Sequence, residues 1–212
     1  VSVTKAVEDK KIDFLNKIPI EKDDKIYGTG IIHEFESREY TIFELMVAML
    51  IQSDNTAANK LIDIIGMDNI NKDIKEMGLK NTILNRKTSD ERIPRVDIEN
   101  ITSAYDLSKI WKILCEGSFL SKENSTMLID ILTRQQIKNK LALYIPDDLK
   151  FEISSKTGDK KGVENDTELV QIPKGKFIFT VLSSEIPNSV YGTVTLAKCG
   201  KVMWDNIVSK WG

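Results

Sequence analysis

The pattern of apolar and polar positions divides the chain into a helical stretch, a strand-rich stretch and a closing helix. Apolar residues recur at helical spacing over residues 41–52, and Thr41 and Glu44 at the start of this run form a capping box, in which each side chain satisfies a backbone donor. The same spacing, with caps and glycine stops at the ends, predicts further helices over residues 56–65, 69–77, 103–115 and 121–132.

Short runs rich in β-forming residues occupy the rest of the chain. They predict strands over residues 151–156, 167–172 and 176–183, with a turn between the last two, and a helix over residues 190–210 that covers one face of the sheet. Helices followed by strands and a helix predict an α+β fold. We expect one domain over residues 1–212, with a helical part at roughly 19–143 and a sheet-side part made of 1–18 and 144–212.

The composition is that of an ordinary globular protein. Of 212 residues 41% are hydrophobic and 29% charged, and 30 basic and 32 acidic residues give a net charge of −2, which offers no broad positive field for nucleic acid or an anionic membrane. We see no membrane span and no signal peptide, so we expect that any export signal was removed or not included. Cys115 and Cys199 could form one bridge, but two buried free thiols are the favoured interpretation.

A single histidine narrows the catalytic chemistry. His33, which we interpret as a partly exposed loop or surface residue, argues against a metal site of several imidazoles and against a histidine-based triad, and we expect no metal and no organic cofactor. A serine enzyme would then need a lysine or a carboxylate to move the proton. One class of serine hydrolases does so with the motifs S-x-x-K, S-D-N and K-T-G.

Two of these three motifs occur here in that order. Ser53-Asp54-Asn55 lies on the elbow between two predicted helices, and Lys156-Thr157-Gly158 lies at the end of a predicted strand. Either tripeptide alone could be a helix cap or a turn signal. In these positions, however, a hydroxyl and an ammonium group can face each other across a cleft between the two parts of the fold.

The stretches around both motifs resemble class A β-lactamases. Residues 52–62 are similar to the start of the S-D-N helix of that family, and residues 28–32 and 40–45 resemble the segment before it. Residues 77–82, 134–136 and 156–163 with Asp166 resemble a subgroup of class A-like serine hydrolases. The chain is thus identified as a member of the penicillin-recognising serine hydrolases. The resemblance implies a small-molecule substrate, either a β-lactam or a D-alanyl peptide, and a secreted or cell-envelope location.

The resemblance also implies a role for each motif residue. Ser53 would pass a proton to the leaving nitrogen, and Lys156 would polarise that hydroxyl and help to hold a substrate carboxylate. Asp54 would brace the elbow without touching substrate. The substrate-binding residues would be Asn55 for the side-chain amide, Thr157 for the carboxylate, Gly158 where substrate lies against the strand, and Asp159, whose backbone N–H would form half of an oxyanion hole.

The nucleophile is the first departure from the family pattern. Ser2-Val3-Thr4-Lys5 spells S-x-x-K, but Ser2 lies 51 positions before Ser53, whereas the family spacing is roughly sixty. We therefore interpret Ser2 as a coincidental match and expect the nucleophile upstream of Val1. The first strands of the sheet would then be missing as well, which would leave the strand over residues 176–183 with an unpaired edge.

The base that activates the hydrolytic water is the second departure. Class A β-lactamases carry it as the Glu of an R-x-E pattern, and here Thr88 stands at that position after Arg86. Asp90 or Glu91 could substitute, although acidic residues in a polar loop are more often solvated. We expect slow hydrolysis or none.

Three interpretations of the chain stay open. The first is a β-lactamase-like domain that, with its nucleophile present, opens β-lactams or cleaves a D-alanyl peptide. The second is a non-catalytic binding or cell-envelope module that retains the cleft. The third is a fragment of a longer active protein.

Overall fold

The computed structural model describes residues 1–88, 99–145 and 151–211. Its helices are α1 (Ser2–Glu8), α2 (Ile42–Gln52), α3 (Asn55–Ile65), α4 (Met67–Glu76), α5 (Ala104–Glu116), α6 (Lys122–Thr133) and α7 (Ser189–Trp211). Its strands are β1 (Lys17–Ile20), β2 (Arg38–Thr41), β3 (Glu152–Lys160), β4 (Val163–Ile172) and β5 (Gly175–Leu182). The predicted α+β order is confirmed, and every predicted helix is present within about two residues of its predicted ends, an offset normal for helix termini.

The three-stranded antiparallel sheet has the order β3–β4–β5. Both β3 and β4 are longer than predicted, because they form one hairpin whose ladder continues through polar residues up to the pair Lys160 and Val163. Gly162, with φ of +79°, provides the turn between them. The K-T-G motif therefore lies inside β3, and its predicted place at the end of a strand was wrong. Among the described residues, β5 pairs with β4 alone.

A second, two-stranded sheet pairs β1 with β2 and was not predicted. Each strand has only four residues and three of them are not fully buried, so neither presents a regular alternation of apolar and polar positions. This ribbon leads directly into α2, whose first turn carries the predicted capping box. Thr41 N donates to Glu44 Oε2 at 2.7 Å and Glu44 N donates to Thr41 Oγ1 at 3.1 Å.

The main core lies between the helices and one face of the sheet. Leu45, Leu61, Ile131 and Leu169 are at most 2% exposed and belong to one cluster of packed side chains. On the opposite face, α7 packs against β4 and a 3₁₀ turn at Leu141–Tyr144. These contacts hold β4 between two layers of helix, with β3 against α6, while α1 contacts α3 and α4.

The two thiols and the histidine are all half-buried. Cys115 and Cys199 are both free and half-buried, and His33 is half-buried in a 3₁₀ turn at Ile32–Glu34. None of the described helices is long and apolar enough to cross a membrane. The division into a helical and a sheet-side part stays a prediction.

Candidate active site

The elbow between α2 and α3 carries the S-D-N residues. Ser53 adopts the left-handed conformation (φ +53°, ψ +36°), which is strained for a residue with a side chain and needs support from its surroundings. Asp54, which is fully buried, gives that support. Its Oδ1 accepts from Ala57 N at 2.9 Å and caps α3, while its Oδ2 accepts from Ile31 N at 2.7 Å and Ile32 N at 2.9 Å. The predicted bracing of the elbow by Asp54 is therefore present in the contacts.

The loop that precedes the β2 strand packs closely against this elbow. Asn55 N donates to Thr29 O at 3.0 Å, and Asn55 Nδ2 donates to the Tyr27 carbonyl at 3.4 Å. Gly30 has a φ of +108°, and a Cβ on it would lie 2.2 Å from Asp54 Oδ2. A glycine is therefore required where the loop meets the elbow, and Asn55 is held at the first turn of α3.

Lys156 reaches from β3 to the elbow. Its Nζ donates to Ser53 Oγ and, at 2.7 Å, to its neighbour's carbonyl oxygen, Thr157 O. A cavity of about 160 Å³, lined mainly by apolar side chains that include Leu50 and Trp111, borders the lysine. Burial in this setting lowers the pKa of Lys156 from 10.5 to about 8, although the nearby carboxylates of Asp159 and Asp166 act in the opposite direction.

The other three predicted residues follow Lys156 along β3. Thr157 is 5% exposed, and its Oγ1 is buried with no hydrogen-bond partner among the described residues. Gly158 is exposed, and a Cβ on it would meet nothing within 4 Å, so the surrounding protein does not require glycine there. Asp159 keeps 47% of its side chain exposed and lies 3.7 Å from Lys140 Nζ. Beside the half-buried Lys156, the strand is thus open at Gly158 and Asp159 and closed at Thr157.

Comparison with known proteins shows the family of this chain. Residues 1–207 match the family model described as the β-lactamase enzyme family. The chain belongs to that family. Among curated β-lactamases, it is 29% identical to BRO-1 of Moraxella catarrhalis over 156 residues, which cover 72% of this chain and 49% of the relative. It is 26% identical to a β-lactamase of Bacillus licheniformis over 206 residues, which cover 93% and 66%.

A solved β-lactamase structure shares the fold. The crystal structure of a β-lactamase from Sphaerobacter thermophilus superposes with a TM-score of 0.89 at 28% identity, covering 94% of this chain and 76% of the other. The predicted class A β-lactamase-like fold is thereby confirmed. The chain spans about half and about two thirds of the lengths of the two curated relatives.

In this β-lactamase family member, the structure also brings Thr88 to the elbow helix. Asn59, one turn after Asn55 in α3, donates from Nδ2 to Thr88 O at 2.6 Å, and its Oδ1 accepts from Thr88 N at 2.8 Å. The backbone of Thr88, where the family's Glu was expected, is therefore fixed against α3, one turn beyond Asn55. Asp90 and Glu91, the possible replacements, lie outside the described residues.

Sequence reasoning missed a buried cation next to the K-T-G strand. Lys140, 2% exposed, pairs with Glu164 Oε2 at 2.6 Å and donates to the carbonyls of Gly158 and Asn165 at 3.3 Å each. Lys140 thereby links Gly158 of β3 to Asn165, the residue that faces it in β4. Nothing in the sequence singles it out, because it is one lysine in a loop of mixed charge.

Proposed function

We propose that this protein acts on β-lactams as a penicillin-recognising serine hydrolase, through a covalent acyl-enzyme, with Ser53 and Lys156 as its proton-transfer pair. The observation that carries the proposal is the contact between Lys156 Nζ and Ser53 Oγ, two motif residues 103 positions apart that the fold brings together. The family supports the same class of chemistry.

The two side chains suit the step in which the lactam ring opens. When a serine oxygen bonds to the lactam carbonyl carbon, the ring C–N bond breaks and the nitrogen needs a proton. Ser53 gives the proton of its hydroxyl to that nitrogen, and the Lys156 ammonium group replaces it. The proton that the acylated serine loses as its bond to carbon forms restores the charge of Lys156, so the step neither consumes nor releases a proton. A lysine with a pKa near 8 can make this transfer close to neutral pH, whereas an ordinary lysine is a much weaker acid.

The open surface of β3 would receive the substrate. Thr157 and the positive charge of Lys156 would bind its carboxylate, Asn55 its side-chain amide, and the backbone N–H of Asp159 the oxyanion. Gly158 supports this assignment, because a Cβ there would point into open space that substrate could occupy.

The surroundings of Ser2 and Lys5 do not favour their acting as nucleophile and general base. Lys5 Nζ donates to Asp9 Oδ1, and this hydrogen bond raises the pKa of Lys5, whereas a general base must be neutral to accept a proton. The lining of the cavity beside Lys156 includes Val1 but not Ser2. We propose that another serine of the protein is acylated.

Labelling with a fluorescent penicillin tests this proposal. The protein as its gene encodes it is incubated with the label, and peptide mapping by mass spectrometry locates the acylated serine. We expect covalent labelling that persists in Ser2→Ala and falls at least a hundredfold in Ser53→Ala and Lys156→Ala. Absence of a covalent adduct, or an adduct on Ser2, would contradict the proposal.

A non-catalytic binding module is the second candidate, favoured by Thr88 in the place of the expected Glu. It would retain the cleft and bind a D-alanyl peptide or a penicillin reversibly. Saturable penicillin binding in calorimetry, together with no increase in the protein mass by mass spectrometry, would support this candidate over the first. For either candidate we propose a secreted or cell-envelope location, as the family implies.

A further inference from the structure

The segment after α6 connects the two elements that carry the Ser53–Lys156 pair. Gln135, in this segment, is fully buried. Its Nε2 donates to Leu50 O in the last turn of α2 at 3.0 Å and to Ser155 O in β3 at 3.2 Å. Leu50 lies three residues before Ser53, and Ser155 lies directly before Lys156.

The orientation of the Gln135 amide follows from its four partners. Its Oε1 accepts from Gln136 N at 3.0 Å and Ile137 N at 3.1 Å, so both backbone donors face the oxygen and both carbonyl acceptors face the nitrogen. Each N–H of the side chain has one acceptor, and a flipped amide would set oxygen against oxygen and N–H against N–H. A methionine of similar size could fill the space but make none of these bonds.

We infer that Gln135 is a positioning residue that sets the separation between Ser53 and Lys156. The planar amide of Gln135 has fixed partners at both its nitrogen and its oxygen. Through the nitrogen it links Leu50, in the last turn of α2, to Ser155 in β3. The bond from Gln136 N to Ile51 O, at 3.1 Å, keeps the same segment against α2. Proton transfer depends on the donor–acceptor distance to within about 1 Å, so a loosened link should slow it strongly.

The first test measures the titration of Lys156 and does not depend on catalysis. In protein labelled with ¹³C,¹⁵N-lysine, NMR follows Lys156, assigned with Lys156→Arg. In Gln135→Met we expect the pKa of Lys156 to rise by at least half a unit toward 10.5, because a looser cleft admits water to the ammonium group. A loss of stability alone would lower the melting temperature but leave the titration of the folded molecules unchanged.

Gln136→Met is the matched control. Gln136 is exposed, its side chain donates only to the Arg134 carbonyl among the described contacts, and its backbone bond to Ile51 survives the change. We expect the Lys156 titration of this control to equal that of the unmodified protein. Gln135→Asn, which keeps an amide but is one methylene shorter, should fold if Gln135→Met does not and should give a smaller shift of the same sign.

The second test measures penicillin labelling and rests on the proposed function. We expect the labelling rate of folded Gln135→Met to fall at least tenfold, with Gln136→Met unchanged. If the unmodified protein is not labelled, the proposed function fails while the titration still decides the role of Gln135. An unchanged Lys156 titration in folded Gln135→Met or Gln135→Asn would overturn the inference.

Discussion

Lys156 illustrates how one residue type acquires a function from its surroundings. A surface lysine is protonated throughout the physiological range, whereas the half-buried Lys156, with a pKa near 8, exists in both forms there. Its positive charge is also what would bind a substrate carboxylate. Because Lys156 both carries the charge that would bind the carboxylate and loses that charge near pH 8, substrate binding should depend on pH.

We expect labelling by a penicillin to weaken above about pH 8 relative to labelling by its methyl ester, which carries no carboxylate. The lowered pKa means that Lys156 loses its charge as the pH rises through about 8, and only the acid form of the substrate needs that charge. The ratio of the two labelling rates across the pH range measures this effect. Ionisation of the nucleophile changes both rates by the same factor and therefore cancels in the ratio. Lys156→Arg, which stays charged, should give a constant ratio. A ratio independent of pH in the unmodified protein would contradict the prediction.

Thr88 is the residue at which a base can be restored. Its backbone is already fixed to Asn59, so a longer side chain at this position starts one turn of α3 away from Asn55, a proposed substrate-binding residue. We expect Thr88→Glu to speed loss of the fluorescent acyl group at least tenfold, because a carboxylate can activate water and a threonine cannot. Thr88→Gln, of the same size without a base, should release the label as slowly as the unmodified protein. Equal release rates in the two variants would refute the placement.

At the scale of elements, the elbow depends on a single buried carboxylate. Asp54 accepts three backbone hydrogen bonds that join α3 to the loop before β2. Asp54→Asn should lower the free energy of unfolding by about 2–4 kcal/mol, because the amide nitrogen meets a backbone donor and the charge-assisted bonds are lost. Urea unfolding measures the change. Ser103→Ala removes an ordinary neutral cap of α5 and should cost only about 1 kcal/mol; equal losses would show that Asp54 is no more than a cap.

Strand β4 carries a second buried set of charges, on the face that packs against the 3₁₀ turn. Glu164 pairs with Lys140, Asp166 accepts from Leu141 N at 3.1 Å, and Glu168 is 1% exposed. Asp166 Oδ1 and Glu168 Oε2 are buried without a hydrogen-bond partner among the described residues, and a proton held between the two carboxyl groups would satisfy both. Burial raises the pKa of Asp166 to about 6, and burial together with the charge of Asp166 raises the pKa of Glu168 well above its usual value.

This pair makes stability fall as the pH rises. Between the unfolded pKa of each carboxyl and its raised folded pKa, the folded state keeps a proton that the unfolded state has lost, so the free energy of unfolding decreases by up to about 1.4 kcal/mol per pH unit for each proton. Glu168→Gln should therefore lose less stability than the unmodified protein between pH 5 and pH 8, as measured by urea unfolding at several pH values. Glu39→Gln, at an exposed strand position, should follow the unmodified curve. A parallel curve for Glu168→Gln would exclude the buried pair as the cause.

At the scale of the whole molecule, we propose that residues 1–212 form one cooperative unit. Leu61 in α3 and Leu196 in α7 lie on opposite sides of the sheet, and each is at most 2% exposed. Leu61→Ala and Leu196→Ala should each cost about 2–5 kcal/mol and lower the midpoint of the same single transition. Far-ultraviolet circular dichroism follows the helices, and tryptophan fluorescence follows Trp111 in the helical part together with Trp204 and Trp211 in the sheet-side part. Separate transitions in either variant would show that the helical and sheet-side parts unfold independently.

The sequence alone determined the type of most elements and the identity of the motif residues. Spacing, caps and turn residues act within a few positions, so helices α2 to α7 and the β4–β5 hairpin followed from local pattern, and the order of elements indicated the α+β class. The β1–β2 ribbon and the full length of β3 did not follow, because their residues become strands only through pairing with a partner.

Only the tertiary structure decided what the motif residues can do. The contact of Ser53 with Lys156 joins positions 103 apart, and the lowered pKa of Lys156 arises from the apolar side chains that surround it. Gln135 belongs to the stretch 134–136 that resembles the subgroup, but neither its contacts nor those of Lys140 could be predicted, since a buried amide or ammonium group is recognised only by the carbonyl groups and carboxylates that meet it. Distance and solvation are properties of packing, and local sequence does not contain them.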